Sequence, residues 1–208
     1  MIIDFHTHHP AAEGVISPRS FGIHPWHSQQ WLTSHCSDPF GELERAMPDH
    51  MQVVGECGLD KCCQVSFSCQ MEVFQMQLTL AERLRLPVVV HCVRSFNEII
   101  QVRRLFSSTP WVVHGFTGSS QLAQQLAHFG IGVSFGAALT HPLRTKVHQA
   151  LCSRMSADGG LLPLTFLETD DSPIAIGQVY GAAAQILEID APALDHAIKR
   201  NYSALIRP

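Results

Sequence analysis

Leu86-Pro87-Val88-Val89-Val90-His91-Cys92 is an unbroken apolar run, β-branched at its centre, that ends in an imidazole. Such a run suits a strand covered on both faces, as in a parallel α/β sheet. The pattern recurs on either side of it. Further strand candidates are Ile2–His6, Ser20–His24, Gln52–Glu56, Trp111–Gly115, Gly130–Phe135 and Leu164–Thr169, seven with the run just quoted. Helix candidates alternate with them at 39–47, 67–85, 95–106, 119–129, 142–155, 174–187 and 191–206. In 67–85, Phe67, Met71, Phe74, Leu78 and Ala81 recur at spacings of three and four, which predicts a stripe facing the core.

Composition sets the class. Of 208 residues, 46% are hydrophobic and 15% charged, which excludes disorder and sustains one ordinary core. No Gly-, Ser- or Pro-rich linker and no internal repeat interrupts the chain, so a single domain over 1–208 is expected. Alternating β-α units at this length predict a TIM-type barrel, trimmed below the usual ~250 residues. Pro10–Arg19 is too short and turn-rich for a helical crossover, so either a strand and helix are missing there or Val15-Ile16 is a vestige. Seven strands, eight strands and an opened ring all fit this pattern.

Charge and cysteine usage narrow the partners. There are 14 basic against 18 acidic residues, which argues against a broad footprint on duplex nucleic acid. No apolar run approaches the ~20 residues of a membrane helix, and Met1-Ile2-Ile3-Asp4 opens without a basic leader. The seven cysteines are odd in number and form no C-x-x-C pair, which predicts reduced thiols and a cytoplasmic setting. Nothing in the pattern calls for an obligate protein partner.

The 13 histidines carry the functional signal, because of where some of them fall. Strand candidates run into His6-Thr7-His8, Glu56, His91, His114 and Glu168-Thr169-Asp170. In a barrel these ends converge on one mouth, where such enzymes keep their chemistry. Alternation along a strand sends His6 and His8 the same way. Four imidazoles with Glu56 and Asp170 form a mixed nitrogen and oxygen donor set, suited to Zn or Mn and tolerant of Mg. Six donors exceed the needs of one tetrahedral ion, so two divalent ions sharing Glu56 fit the count. Glu168 projects like Asp170, but Asp170 lies nearer the mouth. Asp4 either orients an imidazole or caps its own strand, and Asp171 is expected at a helix start before Pro173. Cys57 and Cys92 should point to the opposite faces of their strands and pack in the core. His24 is expected to touch substrate and Arg94 to clamp a phosphate oxygen. Trp26, Phe116 and Phe135 are each either base-stacking or core rings.

Taken together, Asp4-Phe5-His6-Thr7-His8, Phe21-Gly22-Ile23-His24-Pro25 and Val54-Gly55-Glu56-Cys57-Gly58-Leu59-Asp60 form a familiar series. It continues through Leu86–His91, His114-Gly115-Phe116-Thr117-Gly118, Ser134-Phe135-Gly136 and Leu167-Glu168-Thr169-Asp170-Asp171-Ser172-Pro173. In this order the segments resemble the TatD family of metal-dependent hydrolases, relatives of the amidohydrolases on a TIM-barrel fold. The resemblance implies a divalent-metal phosphodiesterase, typically a deoxyribonuclease working from a 3′ end, with Mg, Mn or Zn as the metal. It makes His6 and His8 ligands of one ion, Glu56 the shared carboxylate, His91 and His114 ligands of the second ion, and Asp170 a ligand beside the attacking water. Glu56 and Asp170 would thus be the catalytic carboxylates, and DNA strand ends or short oligonucleotides the substrate. Two departures stand out. The segment after His8-His9-Pro10 is short, and the family's His-Ser-Arg-Asp is replaced by His91-Cys92-Val93-Arg94-Ser95. The alternatives are an amidohydrolase-type C–N or ester hydrolase on the same fold, or a non-catalytic metal-binding scaffold.

Overall fold

The β-branched runs become strands and the periodic segments helices. The computed structural model describes residues 1–10 and 12–206. In chain order these form β1 (Ile2–Ile3), β2 (Val15–Ile16), β3 (Ser20–Phe21), a 3-10 turn (Pro25–His27), α1 (Ser28–Ser34), α2 (Pro39–Ala46) and β4 (Val53–Asp60). Then come α3 (Phe67–Leu84), β5 (Val88–Val93), α4 (Phe96–Arg103), β6 (Trp111–Val113), α5 (Ser120–His128) and β7 (Ile131–Phe135). A second 3-10 turn (Ala137–Thr140), α6 (Thr145–Cys152), β8 (Thr165–Leu167), α7 (Ile176–Leu187) and α8 (Ala191–Leu205) complete the order. The described residues thus hold an eighth strand, Val15–Ile16, which pairs in parallel with β1. Two β-branched residues inside a turn-rich segment are too short a run to be separated from a loop by pattern. α1 was likewise not anticipated, because Ser28-Gln29-Gln30-Trp31-Leu32 has no apolar period long enough to stand out. α7 begins at Ile176, so Asp171 and Pro173 precede that helix and do not start it.

The chain divides into two compact units, 1–18 with 113–208, and 19–112. In the second unit β3 and β4 run parallel, with Phe21 opposite Val54, and β4 runs parallel to β5. The β4–β5 register slips between Val54 and Cys57, after which Gly58 faces His91. β4 also continues past its expected end at Glu56 as far as Asp60. Its two interior glycines read as breakers, yet at Gly58 the neighbouring strand simply comes too close for a side chain. Against this sheet pack Ile23, Leu43, Val73 and Leu80, with Phe21, Trp31 and Phe40 around them.

α3 does more than cover the sheet. Phe74, Leu78 and Ala81 are buried as the stripe predicts, but so are Gln70 and Gln77. The Gln77 side chain accepts from the Ile23 amide at 2.6 Å and donates to the Ile23 carbonyl at 3.0 Å. Gln70 repeats this on Asp60, accepting from its amide at 2.7 Å and donating to its carbonyl at 3.0 Å. Each glutamine thus satisfies both backbone groups of one residue where no strand partner does. We predict that Gln77→Leu, similar in shape but without polar atoms, destabilises the protein by about 2–4 kcal/mol, since it orphans one buried donor and one acceptor. Urea unfolding is the check, and a loss below about 0.5 kcal/mol would show that Ile23 finds other partners.

In the first unit β7 and β8 pair in parallel, and the chain after β1 follows the end of β8. The Phe5 amide donates to the Leu167 carbonyl at 2.9 Å, Asp170 to His6 at 2.9 Å, and His8 to Asp170 at 3.0 Å. The Phe116 amide in turn donates to the Ser134 carbonyl of β7 at 2.9 Å. Phe5 stacks on Phe166 with ring centroids 4.2 Å apart, and the Tyr180 hydroxyl donates to the Ile3 carbonyl at 3.0 Å. The pairs β1–β2, β3–β4, β4–β5 and β7–β8 all run parallel, the α/β class expected from the sequence.

Candidate metal centre

The backbone ladder of the first unit places three imidazoles around one carboxylate. Asp170 Oδ1 lies 3.4 Å from His8 Nε2 and 3.8 Å from His6 Nε2, while Oδ2 lies 3.9 Å from His114 Nδ1. One donor atom each from His6, His114 and Asp170 falls within 4.8 Å of the others. Ligands ~2.1 Å from one ion stand roughly 3–3.5 Å apart; the His8 separation falls in that range, and the His6 and His114 separations lie a few tenths of an ångström outside it. Asp170 is held there by its own backbone, at φ 55°, between His6 and His8. Its side chain is 31% exposed, so it can be reached from solvent.

Glu168, two residues earlier, is closed off. It is fully buried and accepts a very short hydrogen bond from the Gly115 amide. Burial pushes its carboxyl upward, against the pull of His114 and His6. That separates the two carboxylates: Asp170 faces the reachable side and Glu168 lies beneath it. Burial raises the pKa of the Asp4 carboxyl, while its Thr169 hydrogen bonds and the charge of His6 pull against that rise. The Asp4 carboxylate accepts from the Thr169 amide at 2.9 Å and hydroxyl at 2.6 Å, and so fixes the segment between Glu168 and Asp170. The chain bends after Ile3, at Phe5 and His6, and the strand alternation that put Asp4 with His6 ends there.

The second unit gathers His24, Glu56 and His91, again with donor atoms within 4.8 Å of one another. His91 Nδ1 lies 2.6 Å from Glu56 Oε1, and its Nε2 lies 3.7 Å from Asp60 Oδ2. His24 Nε2 stands 3.3 Å from Glu56 Oε1. The opposite nitrogen, His24 Nδ1, accepts from the Trp26 amide at 3.3 Å, so the neutral ring carries its proton on Nε2. Metal-bound imidazoles usually donate from their second nitrogen, the reverse of this arrangement. His24 is therefore built as a hydrogen-bond donor, and Glu56 and His91 are the better ligands of the three.

Asp60 had no role in the sequence analysis, although Glu56, Gly58 and Asp60 alternate along one strand. It accepts from the Trp26 indole at 2.7 Å and from the Cys62 amide at 2.7 Å. Burial raises its pKa, but these donors and His91 outweigh that and hold the carboxyl below its usual range. Arg94 is exposed at φ 52°, just beyond β5. Cys57 is buried, and burial pushes its thiol well up; the Cys92 thiol is pushed up to about 11 by the same cause. Both thus stay neutral thiols and poor ligands, and all seven cysteines are free.

A family model described as TatD related DNase matches residues 13–207. The chain belongs to the TatD family. Among TatD relatives, the metal-dependent hydrolase YjjV of Escherichia coli K12 is 30% identical over 164 residues, covering 74% of this chain and 59% of the relative. The 3′-5′ ssDNA/RNA exonuclease TatD of Yersinia pseudotuberculosis is 35% identical over 125 residues, covering 55% of this chain and 44% of the relative. The chain thus spans less than two thirds of the length of the curated TatD relatives it matches. Among solved structures, the Escherichia coli YjjV crystal structure superposes with a TM-score of 0.75 at 24% identity, over 95% of this chain and 79% of that one. This likeness shows the TatD fold, the TIM-type α/β class expected from the sequence. No helix among the described residues is long and apolar enough to cross a membrane.

Proposed function

We propose that the chain is a divalent-metal-dependent phosphodiesterase, a TatD-type deoxyribonuclease that releases nucleotides from DNA strand ends or short oligonucleotides, and that residues 1–208 work as one hydrolase domain. The observation that carries this reading is the convergence of His6, His8 and His114 on the reachable carboxylate of Asp170. The exonuclease name of a TatD relative supports the substrate class.

The donor chemistry fits a metal. Imidazole nitrogens with carboxylate oxygens are a borderline set that takes Zn or Mn readily and Mg with water in its shell. In this proposal His6, His8 and Asp170 hold one ion and Glu56 with His91 another; His114, expected from the resemblance on the second ion, is assigned to the first because it lies with His6 and Asp170. A bound divalent cation supplies positive charge for the phosphate and lowers the pKa of water, which a phosphodiester hydrolase needs near neutral pH. Asp170 orients the attacking water and accepts its proton, acting as the general base. His24 donates from Nε2 to a phosphate oxygen, and Arg94, exposed beyond β5, adds a charged donor. Seven free thiols support a cytoplasmic setting.

The test is release of nucleotides from end-labelled single-stranded DNA by metal-stripped protein, re-supplied in turn with Mg, Mn or Zn. Restoration by at least one metal is the expected result. Protein that takes up metal yet leaves the oligonucleotide intact would end the nuclease reading, and hydrolysis of amide substrates under those conditions would replace it with an amidohydrolase.

A further inference from the structure

Three aromatic rings were candidates for base stacking, and burial separates them. Phe116 and Phe135 are 1% and 0% exposed and belong to the core, whereas Trp26 is 57% exposed. An exposed tryptophan leaves a large apolar face in water, which is unfavourable unless something covers it. Trp26 is nevertheless held in one orientation. Its indole N–H is bound to Asp60, Asp60 is held through its other oxygen by the Cys62 amide, and Gln70 grips the Asp60 backbone. The ring stands edge-on to His24, with centroids 4.8 Å apart and planes at 90°. Because its only polar atom is already bonded internally, what it offers a ligand is its π-face.

We propose that Trp26 is the stacking platform for the nucleobase attached to the phosphodiester held at His24, Glu56 and His91. The proposal rests on the phosphodiesterase reading and adds a recognised feature of the substrate, a flat base beside the phosphate. A base suits the ring in shape and apolarity and is tethered to the very group that the adjacent donors would bind. Every base has a π-face, so this contact tolerates sequence, as an enzyme working along a strand requires. Because the ring is fixed before binding, little side-chain freedom is lost on association.

The experiment compares wild type, Trp26→Ala and Trp26→Phe, each metal-loaded, on two single-stranded oligonucleotides, one intact and one with an abasic residue at the cleaved end. Trp26→Ala is expected to raise KM for the intact strand about 5- to 100-fold with kcat within about twofold, and the wild-type preference for intact over abasic strand should collapse towards one. Trp26→Phe should retain most of that preference. An equal rise in KM on both strands, or a fall in kcat alone, would show that the ring braces His24 and does not stack on a base, and an unchanged preference would also overturn the proposal. If metal-loaded wild type cleaves neither strand, it is the phosphodiesterase reading that fails. The platform is then judged by quenching of tryptophan emission: intact strand quenching wild type more than abasic strand, and not Trp26→Ala, upholds it, and any other pattern defeats it.

Discussion

Asp170→Asn is expected to lower kcat for nucleotide release from single-stranded DNA by about 10²- to 10⁴-fold, the usual contribution of a positioned general base. Asparagine keeps the size of the side chain and one oxygen that can face the imidazoles, but it cannot accept a proton at neutral pH. The substitution is also mild for the backbone. Asp170 sits at φ 55°, and asparagine is among the few non-glycine residues that adopt the left-handed region readily. The hydrogen bonds from Asp170 to His6 and from His8 to Asp170 are backbone bonds and survive the change. The variant should therefore unfold at the same urea concentration as wild type while losing turnover, which separates chemistry from folding. Single-turnover rates within tenfold of wild type would remove Asp170 from the role of base.

Gly58→Ala should be the most damaging single methyl group in the second unit. Gly58 adopts φ 150°, a backbone conformation that L-residues rarely enter. A Cβ there would overlap the His91 carbonyl oxygen and lie 3.0 Å from the His91 nitrogen and carbonyl carbon. All three obstacles are main-chain atoms of the paired strand, where Gly58 faces His91, so no side chain can swing aside. Backbone strain and overpacking together are expected to cost about 3–5 kcal/mol, read as a lower urea midpoint. Because His91 rides on the strand that must move, metal uptake by the second unit should fall as well. A loss below about 1 kcal/mol would mean that the two strands separate more easily than their register suggests.

The strands that bear the site were legible because apolar runs such as Val88-Val89-Val90 end abruptly in an ionisable residue. Water-excluded strands leave few other places for such groups. Three features were less legible, each for a physical reason. Val15–Ile16 is too short to show a period, so it stood as one of two readings of Pro10–Arg19. The continuation of β4 to Asp60 was hidden by glycines that signal a break in most contexts and here signal close approach. Gln70 and Gln77 fall three and four residues from Phe67, Phe74 and Ala81, on the core-facing stripe, but pattern alone cannot tell which backbone groups a buried glutamine bonds. The choice among Trp26, Phe116 and Phe135 likewise depended on burial, which no local pattern supplies.

The two buried glutamines also bear on how this chain tolerates change. Seven residues apart on one helix, they are separated by about 10 Å of rise. Each grips a different segment, one carrying Asp60 and the other leading into His24. α3 therefore acts as a calliper whose jaws set the spacing between these two points, whatever the intervening loops do. Changes in the exposed connections at 36–38 and 48–50 would be absorbed outside the jaws, so those loops can be remodelled while the spacing between Ile23 and Asp60 stays constant.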